Sequence, residues 1–133
     1  QKTTLGMIGD MAFAHDMGSL QLAGSVDVVL VVLNNGGGAI FDYLPTVHTP
    51  EYQDFLSPPT LDIGLAARAG GWTHYRVDSL TSFTAAYAEA LEGRGPRVIE
   101  AVIDRKASVA CHKEFWSEAG QIHRPHLVAT HSE

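Results

Sequence analysis

The chain predicts a doubly wound α/β fold whose mainly parallel sheet carries helices on both faces. Two observations predict it. Apolar strand-like runs alternate with helix-patterned segments along the chain, and Val26–Leu33 is apolar nearly throughout, as expected of a parallel strand covered on both sides.

Leu5–Ile8 reads as the first strand, and the stretch to Val26, which includes Met17, Leu20, Gln21 and Leu22, has room for one crossover helix. Val26–Leu33 is the second strand. Residues 45–60 then interrupt the rhythm, where Pro45, Pro50, Pro58 and Pro59 separate aromatic and acidic residues such as Tyr52 and Phe55. Such a long loop in a compact domain is often functional. A further helix leads to a third strand at Thr73–Val77, set between Gly70-Gly71 and Asp78. Leu80, Phe83, Tyr87 and Leu91 recur at helical spacing over Ser79–Glu92 and read as core, with Gly93 as the stop. Val98–Ile103 supplies the last strand, Ala110–Trp116 has a helical pattern, and Ala119–Glu133 with Gly120 and Pro125 reads as a frayed end or a contact arm. The order β-α-β-loop-α-β-α-β fits right-handed crossovers of a doubly wound sheet.

Two strand ends carry hard oxygen donors, Gly9-Asp10 after the first strand and Asn34-Asn35 after the second. Side by side and parallel, such strands bring a carboxylate and a carboxamide to the carboxyl edge of the sheet, where open α/β folds bind ligands. These oxygens suit Mg²⁺ or Ca²⁺. Gly36-Gly37-Gly38 lets the backbone approach a charged ligand closely. In residues 1–67 the acids are Asp10, Asp16, Asp27, Asp42, Glu51, Asp54 and Asp62, against Lys2 as the sole Lys or Arg. A phosphate bound here is therefore neutralised by a cation, glycine-loop N–H groups or a helix N-terminus. Taken singly, Asp10 reads as a helix cap and Asn35-Gly36 as a turn. Together, one crossover apart and each behind a strand, they read as a cation site.

This arrangement resembles the diphosphate and Mg²⁺ motif of thiamine-diphosphate-dependent enzymes. Gly9-Asp10-Met11-Ala12-Phe13-Ala14-His15-Asp16 and the stretch from Asn34 to Pro45 are most similar to one branch of that family, the 2-succinyl-5-enolpyruvyl-6-hydroxy-3-cyclohexene-1-carboxylate synthases of menaquinone biosynthesis. The similarity runs from about Thr4 to Asp104. Many members of the family have Gly where this chain has Met11, and the synthase branch commonly has an apolar residue there. The resemblance implies a thiamine-diphosphate-binding fold with Asp10, Asn35 and the Gly37 carbonyl as metal ligands. It also implies Gly9, Asp10, Met11, Asn35, Gly37 and Ile40 at the cofactor, and Ile40, Phe41 and Leu44 along the substrate pocket. Mg²⁺ is the implied ion, with Mn²⁺ and Ca²⁺ as substitutes. Residues 1–106 would form the thiamine diphosphate and Mg²⁺ domain, lacking its N-terminal part, and residues 107–133 a C-terminal helix and tail. The implied activity is decarboxylation of 2-oxoglutarate and addition of the product to isochorismate, by a homodimer or homotetramer. The family activates the cofactor with a glutamate on a separate pyrimidine-binding domain. At 133 residues the chain has no room for that domain, so the isolated chain is expected to be inactive, with no catalytic residue of its own.

Composition bounds the alternatives. A hydrophobic content of 45% and a charged content of 18% fit a folded globular domain, and a net charge of −6 disfavours nucleic-acid backbones and anionic membranes. Cys111 is alone, which excludes an internal disulfide and fits a cytoplasmic protein, and no apolar run reaches the ~20 residues that span a bilayer. Gln1-Lys2 stands almost directly before a strand, without Met, as expected of a piece of something longer. His112, His123, His126 and His131 match no zinc spacing and read as a solvated tail. His15-Asp16 reads either as a proton-transfer pair or as a helix start. The rival within the class is another 2-oxoacid decarboxylase or acetolactate-synthase-like enzyme. From another class comes a Mg²⁺-binding receiver-like module, which needs a further acidic pair and a lysine near later strand ends. A dinucleotide-binding unit lacks its glycine fingerprint after the first strand.

Overall fold

The computed structural model describes residues 2–23, 26–52 and 61–127. Two compact units divide the chain, Gln1–Ile103 and Asp104–Glu133. In the first, β1 (Thr4–Gly9), β2 (Val28–Asn34), β3 (Thr73–Val77) and β4 (Pro96–Val102) form one sheet in the order β1-β2-β4-β3. Every pairing is parallel, with Gly6 opposite Leu30, Leu30 opposite Val98 and His74 opposite Val98.

The inner strands are β2, the one read as apolar on both faces, and β4, and the pleat distributes their side chains to both sides. Val32 and Val98 face one side, where Phe13, Leu20, Ile63, Ala67 and Trp72 cover them. Val29, Val31, Ile99 and Ala101 face the other, against Val77, Ala86 and Ala90. Helix α1 (Asp10–His15) and helix α2 (Ile63–Ala69) supply the first layer, and helix α3 (Leu80–Glu92) the second. The fold is thus doubly wound α/β.

The crossover between β1 and β2 differs from the single helix expected. A six-residue α1 is followed by a 3₁₀ helix at Met17–Ala23. The Asp16 carbonyl accepts the Ser19 N–H where the two segments meet, at 2.9 Å. The tighter winding brings Leu20 against Gly70, where an added Cβ would stand 2.8 Å from the Leu20 Cβ, and lets Trp72 Nε1 donate to the Leu20 carbonyl at 2.8 Å.

Helix α3 starts and stops as read. The Ser79 hydroxyl accepts the Ser82 N–H, Ser82 returns a bond to the Ser79 N–H, and Gly93 caps the far end. Its buried face does not follow the expected stripe. Leu80 is 81% exposed and Leu91 43%, whereas Ala86 and Ala90 are buried. The helix meets the sheet through these two small residues at i, i+4, which permit close approach, and Phe83 and Tyr87 stack beside that line, half-buried, with ring centroids 5.8 Å apart.

At the amino edge of the sheet, Asp27 and Arg97 form a buried ion pair, which Arg94 and Thr3 extend at 3.1 Å each. Burial pushes the Asp27 carboxyl up, but bonds from Arg94, Thr3 and Arg97 outweigh it and hold the group below the usual carboxylate value.

In the second unit, helix α4 runs from Arg105 to Leu127 and includes the Ala110–Trp116 pattern. It continues through Gly120 and Pro125, which the sequence reading took as a frayed end or contact arm. Cys111 is free and exposed. Phe55, Pro58 and Pro59 of the expected loop, and His131 of the tail, lie outside the described residues.

Candidate cation and diphosphate site

The carboxyl edge of β1 and β2 is where the sequence-predicted residues meet. Asp10 opens α1 directly after β1, with Gly9 as N-cap, and is 3% exposed. Its Oδ1 accepts the Met11 N–H at 2.8 Å, and its Oδ2 accepts the N–H groups of Asn35 at 3.1 Å and Gly37 at 2.8 Å. Three peptide donors thus orient the carboxylate, and none of the ion pairs among the described residues includes it.

The glycine loop achieves this through left-handed backbone. Gly36, Gly37 and Gly38 have φ of 82°, 79° and 62°, a run that side chains with a Cβ rarely adopt. The loop folds back over Asp10 and delivers Gly38 as N-cap of a 3₁₀ helix at Ala39–Tyr43. Asn34 is clamped at its base: its Nδ2 donates to Glu100 Oε1 at 2.8 Å and its Oδ1 accepts the Gly36 N–H at 3.2 Å. Asn35 is different, since its Oδ1 is buried and has no hydrogen-bond partner among the described residues.

A buried carboxamide oxygen without a donor is costly unless something else satisfies it. Asn35 and Gly37 both reach Asp10 through their N–H groups, and Asp10 and Asn35 line one cleft, so the carboxylate and the carboxamide form a hard donor set of the kind that suits Mg²⁺, Mn²⁺ or Ca²⁺. No group of three or more His, Cys, Asp or Glu converges among the described residues, so a softer zinc-type site has no counterpart there.

An open cleft of about 450 Å³ is lined by residues 9–11, Asn35 and residues 38–41. Ile40 is 74% exposed, and Phe41, Leu44 and Met11 are each exposed by close to half. None of these apolar side chains belongs to either core cluster. Leu44 lies just beyond the cleft lining, where its N–H donates to the Phe41 carbonyl at 3.1 Å. Further along, Tyr52 is buried and its hydroxyl donates to Asp42.

His15 and Asp16 pair with each other at 2.8 Å on the surface. His15 closes α1 rather than starting it. A second cleft, about 490 Å³, lies against Arg68, His74, Arg76 and Glu100. Its buried acid is already paired, with His74 at 2.8 Å and Arg76 at 3.5 Å, so it lacks the open donor of the first. The sequence reading missed this cluster. Its one signal was a Glu in the middle of an otherwise apolar strand.

Residues 1–101 match the family described as thiamine pyrophosphate enzyme, C-terminal TPP binding domain. Among curated proteins, the chain is similar to the 2-succinyl-5-enolpyruvyl-6-hydroxy-3-cyclohexene-1-carboxylate synthase of Synechococcus sp. (strain JA-3-3Ab), 35% identical over an alignment of 126 residues that covers 88% of this chain and 21% of the relative. The enzyme of that name from Shewanella sediminis (strain HAW-EB3) is 38% identical over 115 residues, 84% of this chain and 19% of the relative. The chain therefore spans about a fifth of the length of these relatives. Among solved structures, benzoylformate decarboxylase from Polynucleobacter necessarius superposes with a TM-score of 0.67 at 25% identity, covering 78% of this chain and 20% of that one. The thiamine diphosphate-dependent 4-hydroxybenzoylformate decarboxylase of Rhodococcus jostii RHA1 gives 0.64 at 27% identity, covering 79% and 21%.

Proposed function

Because the chain belongs to the thiamine pyrophosphate enzyme family and carries its C-terminal TPP-binding domain, we propose that it anchors the cofactor's diphosphate through Mg²⁺ held by Asp10, Asn35 and Gly37. The observation that carries this reading is the buried Asn35 Oδ1, without a hydrogen-bond partner among the described residues, on a residue whose N–H bonds the buried Asp10 carboxylate.

Asp10 supplies the negative charge that fixes the cation, and its three N–H donors keep it aimed without neutralising it. Asn35 contributes a neutral oxygen, which leaves net positive charge on the ion for diphosphate. Lys2 is the only Lys or Arg in residues 1–67, so the strands and loop that build the cleft bring no basic side chain of their own to the diphosphate. Gly9 and Met11 flank the acid at the cleft, and Ile40 and Phe41 in its lining, with Leu44 just beyond, give an apolar surface that excludes water from a bound substrate. When bound, thiamine diphosphate supplies the electron sink for decarboxylation of a 2-oxoacid.

The relatives' shared name supports a finer reading, a carboligase that decarboxylates 2-oxoglutarate and adds the product to isochorismate in menaquinone biosynthesis. In this reading residues 1–106 hold the site and residues 107–133 form a C-terminal extension. The pyrimidine-binding domain and its activating glutamate belong to another part of a longer cytoplasmic homo-oligomer, a dimer or tetramer. The second reading is a decarboxylase of other 2-oxoacids, favoured by the names of the structural neighbours.

A product assay separates the readings. The full-length enzyme carrying this chain is expected to release CO₂ from 2-oxoglutarate only with both Mg²⁺ and thiamine diphosphate, and to form the adduct with isochorismate. The 133-residue chain alone should release none. Preferential turnover of benzoylformate would overturn the finer reading, and turnover by the chain alone would overturn the division of labour.

A further inference from the structure

Glu100 sits in the middle of β4, 5% exposed, where a carboxylate is costly to bury without partners. It has three. Oε1 accepts Asn34 Nδ2 at 2.8 Å and faces Arg76 Nε at 3.5 Å, while Oε2 meets His74 Nε2 at 2.8 Å. Arg68 Nη1 lies 3.5 Å from His74 Nδ1. Arginine only donates, so Nδ1 is the acceptor and Nε2 carries the proton that goes to Glu100. For stability alone such a cluster is a poor choice, since well-packed apolar residues in place of a buried ionic group are often neutral or better.

Its connections lead to the cation site. A carboxylate can only accept, so Glu100 forces Asn34 to present its NH₂ group inward and its Oδ1 to the Gly36 N–H at 3.2 Å. The Asn34 carbonyl is held at the same time by the Ile103 N–H at 2.8 Å. Gly36 is thereby fixed at the start of the left-handed run, and the next residues place the N–H groups of Asn35 and Gly37 on Asp10 Oδ2. Strand order makes this linkage: β4 lies between β2 and β3, so Asn34 reaches Glu100 from one side and His74 reaches it from the other.

Resting on the cation reading above, we propose that Glu100 is a positioning residue for the metal site, acting through the Asn34 carboxamide to set the glycine loop that aims Asn35 and Gly37. Outer partners that orient metal ligands typically cost about 10–100-fold in metal affinity when replaced.

The test is Mn²⁺ titration by electron paramagnetic resonance on the full-length enzyme with thiamine diphosphate, alongside thermal unfolding without metal. Glu100→Leu and Asn34→Ala are each expected to raise the Mn²⁺ Kd about tenfold or more. The double variant should be no weaker than Asn34→Ala alone, because both changes break one linkage. Glu100→Gln retains an acceptor oxygen for Asn34 and should recover most of the affinity. A lowered melting temperature with unchanged Kd in Glu100→Leu would make Glu100 purely structural and overturn the proposal. If Glu100→Leu does not fold, Asn34→Ala decides alone, and a normal Kd there overturns it. Asp10→Ala separates the two levels: abolished Mn²⁺ binding there with normal binding in Glu100→Leu and Asn34→Ala sinks only the role of Glu100, whereas normal binding in Asp10→Ala sinks the cation reading itself.

Discussion

Replacing Asp10 with Ala in the full-length enzyme is expected to lower thiamine diphosphate affinity by an order of magnitude or more, about 1.4 kcal/mol for each tenfold, as read by calorimetric titration with Mg²⁺ present. Among the described residues Asp10 is the only carboxylate lining the cleft, and it is buried where a lost charge is not replaced by solvent. Removing it also takes from the N–H groups of Met11, Asn35 and Gly37 their common acceptor, so the glycine loop loses one of its anchors along with the cation. Asn35→Ala should weaken binding less, since it removes a neutral ligand and leaves those three bonds intact. Unchanged affinity in both variants would contradict the metal assignment.

Phe41→Ala and Ile40→Ala are expected to keep near-normal melting temperatures and cofactor affinity while kcat/KM falls, most of all when isochorismate is the acceptor. A buried aromatic truncated to Ala costs ~3–5 kcal/mol. Phe41 is 43% exposed and Ile40 74%, and neither packs into a core cluster, so little of that cost applies. What remains is the apolar wall of the cleft, which bears on turnover rather than folding. Early unfolding of both variants, or normal turnover by both, would remove these residues from the substrate pocket.

The strands and the loop between Asn34 and Gly38 were legible in the sequence because their signals are local. Val28–Leu33 announces a doubly covered parallel strand by composition alone, Val98–Ile103 a further strand, and three successive glycines announce backbone that only glycine adopts readily. Helix α3 was legible in its caps but not in its orientation. Size suggested Leu80 and Leu91 as core, yet close packing on the sheet selected Ala86 and Ala90, and nothing in a hydrophobic pattern marks small residues as the contact line. The Glu100 cluster was illegible for another reason. It joins Asn34, His74 and Arg76 through the strand order β2-β4-β3, and an element order in sequence does not fix neighbours in a sheet. Asp27 and Arg97 were hidden in the same way, paired across two strand starts far apart in the chain.

The most direct test of the cation site is diffraction from the full-length enzyme crystallised with Mn²⁺ and thiamine diphosphate, collected where manganese scatters anomalously. The expected map has one peak per cleft, held by Asp10, Asn35 Oδ1, the Gly37 carbonyl and the diphosphate. A peak held by other residues, or a diphosphate seated away from Asp10 with Asn35 Oδ1 still unpartnered, would contradict it.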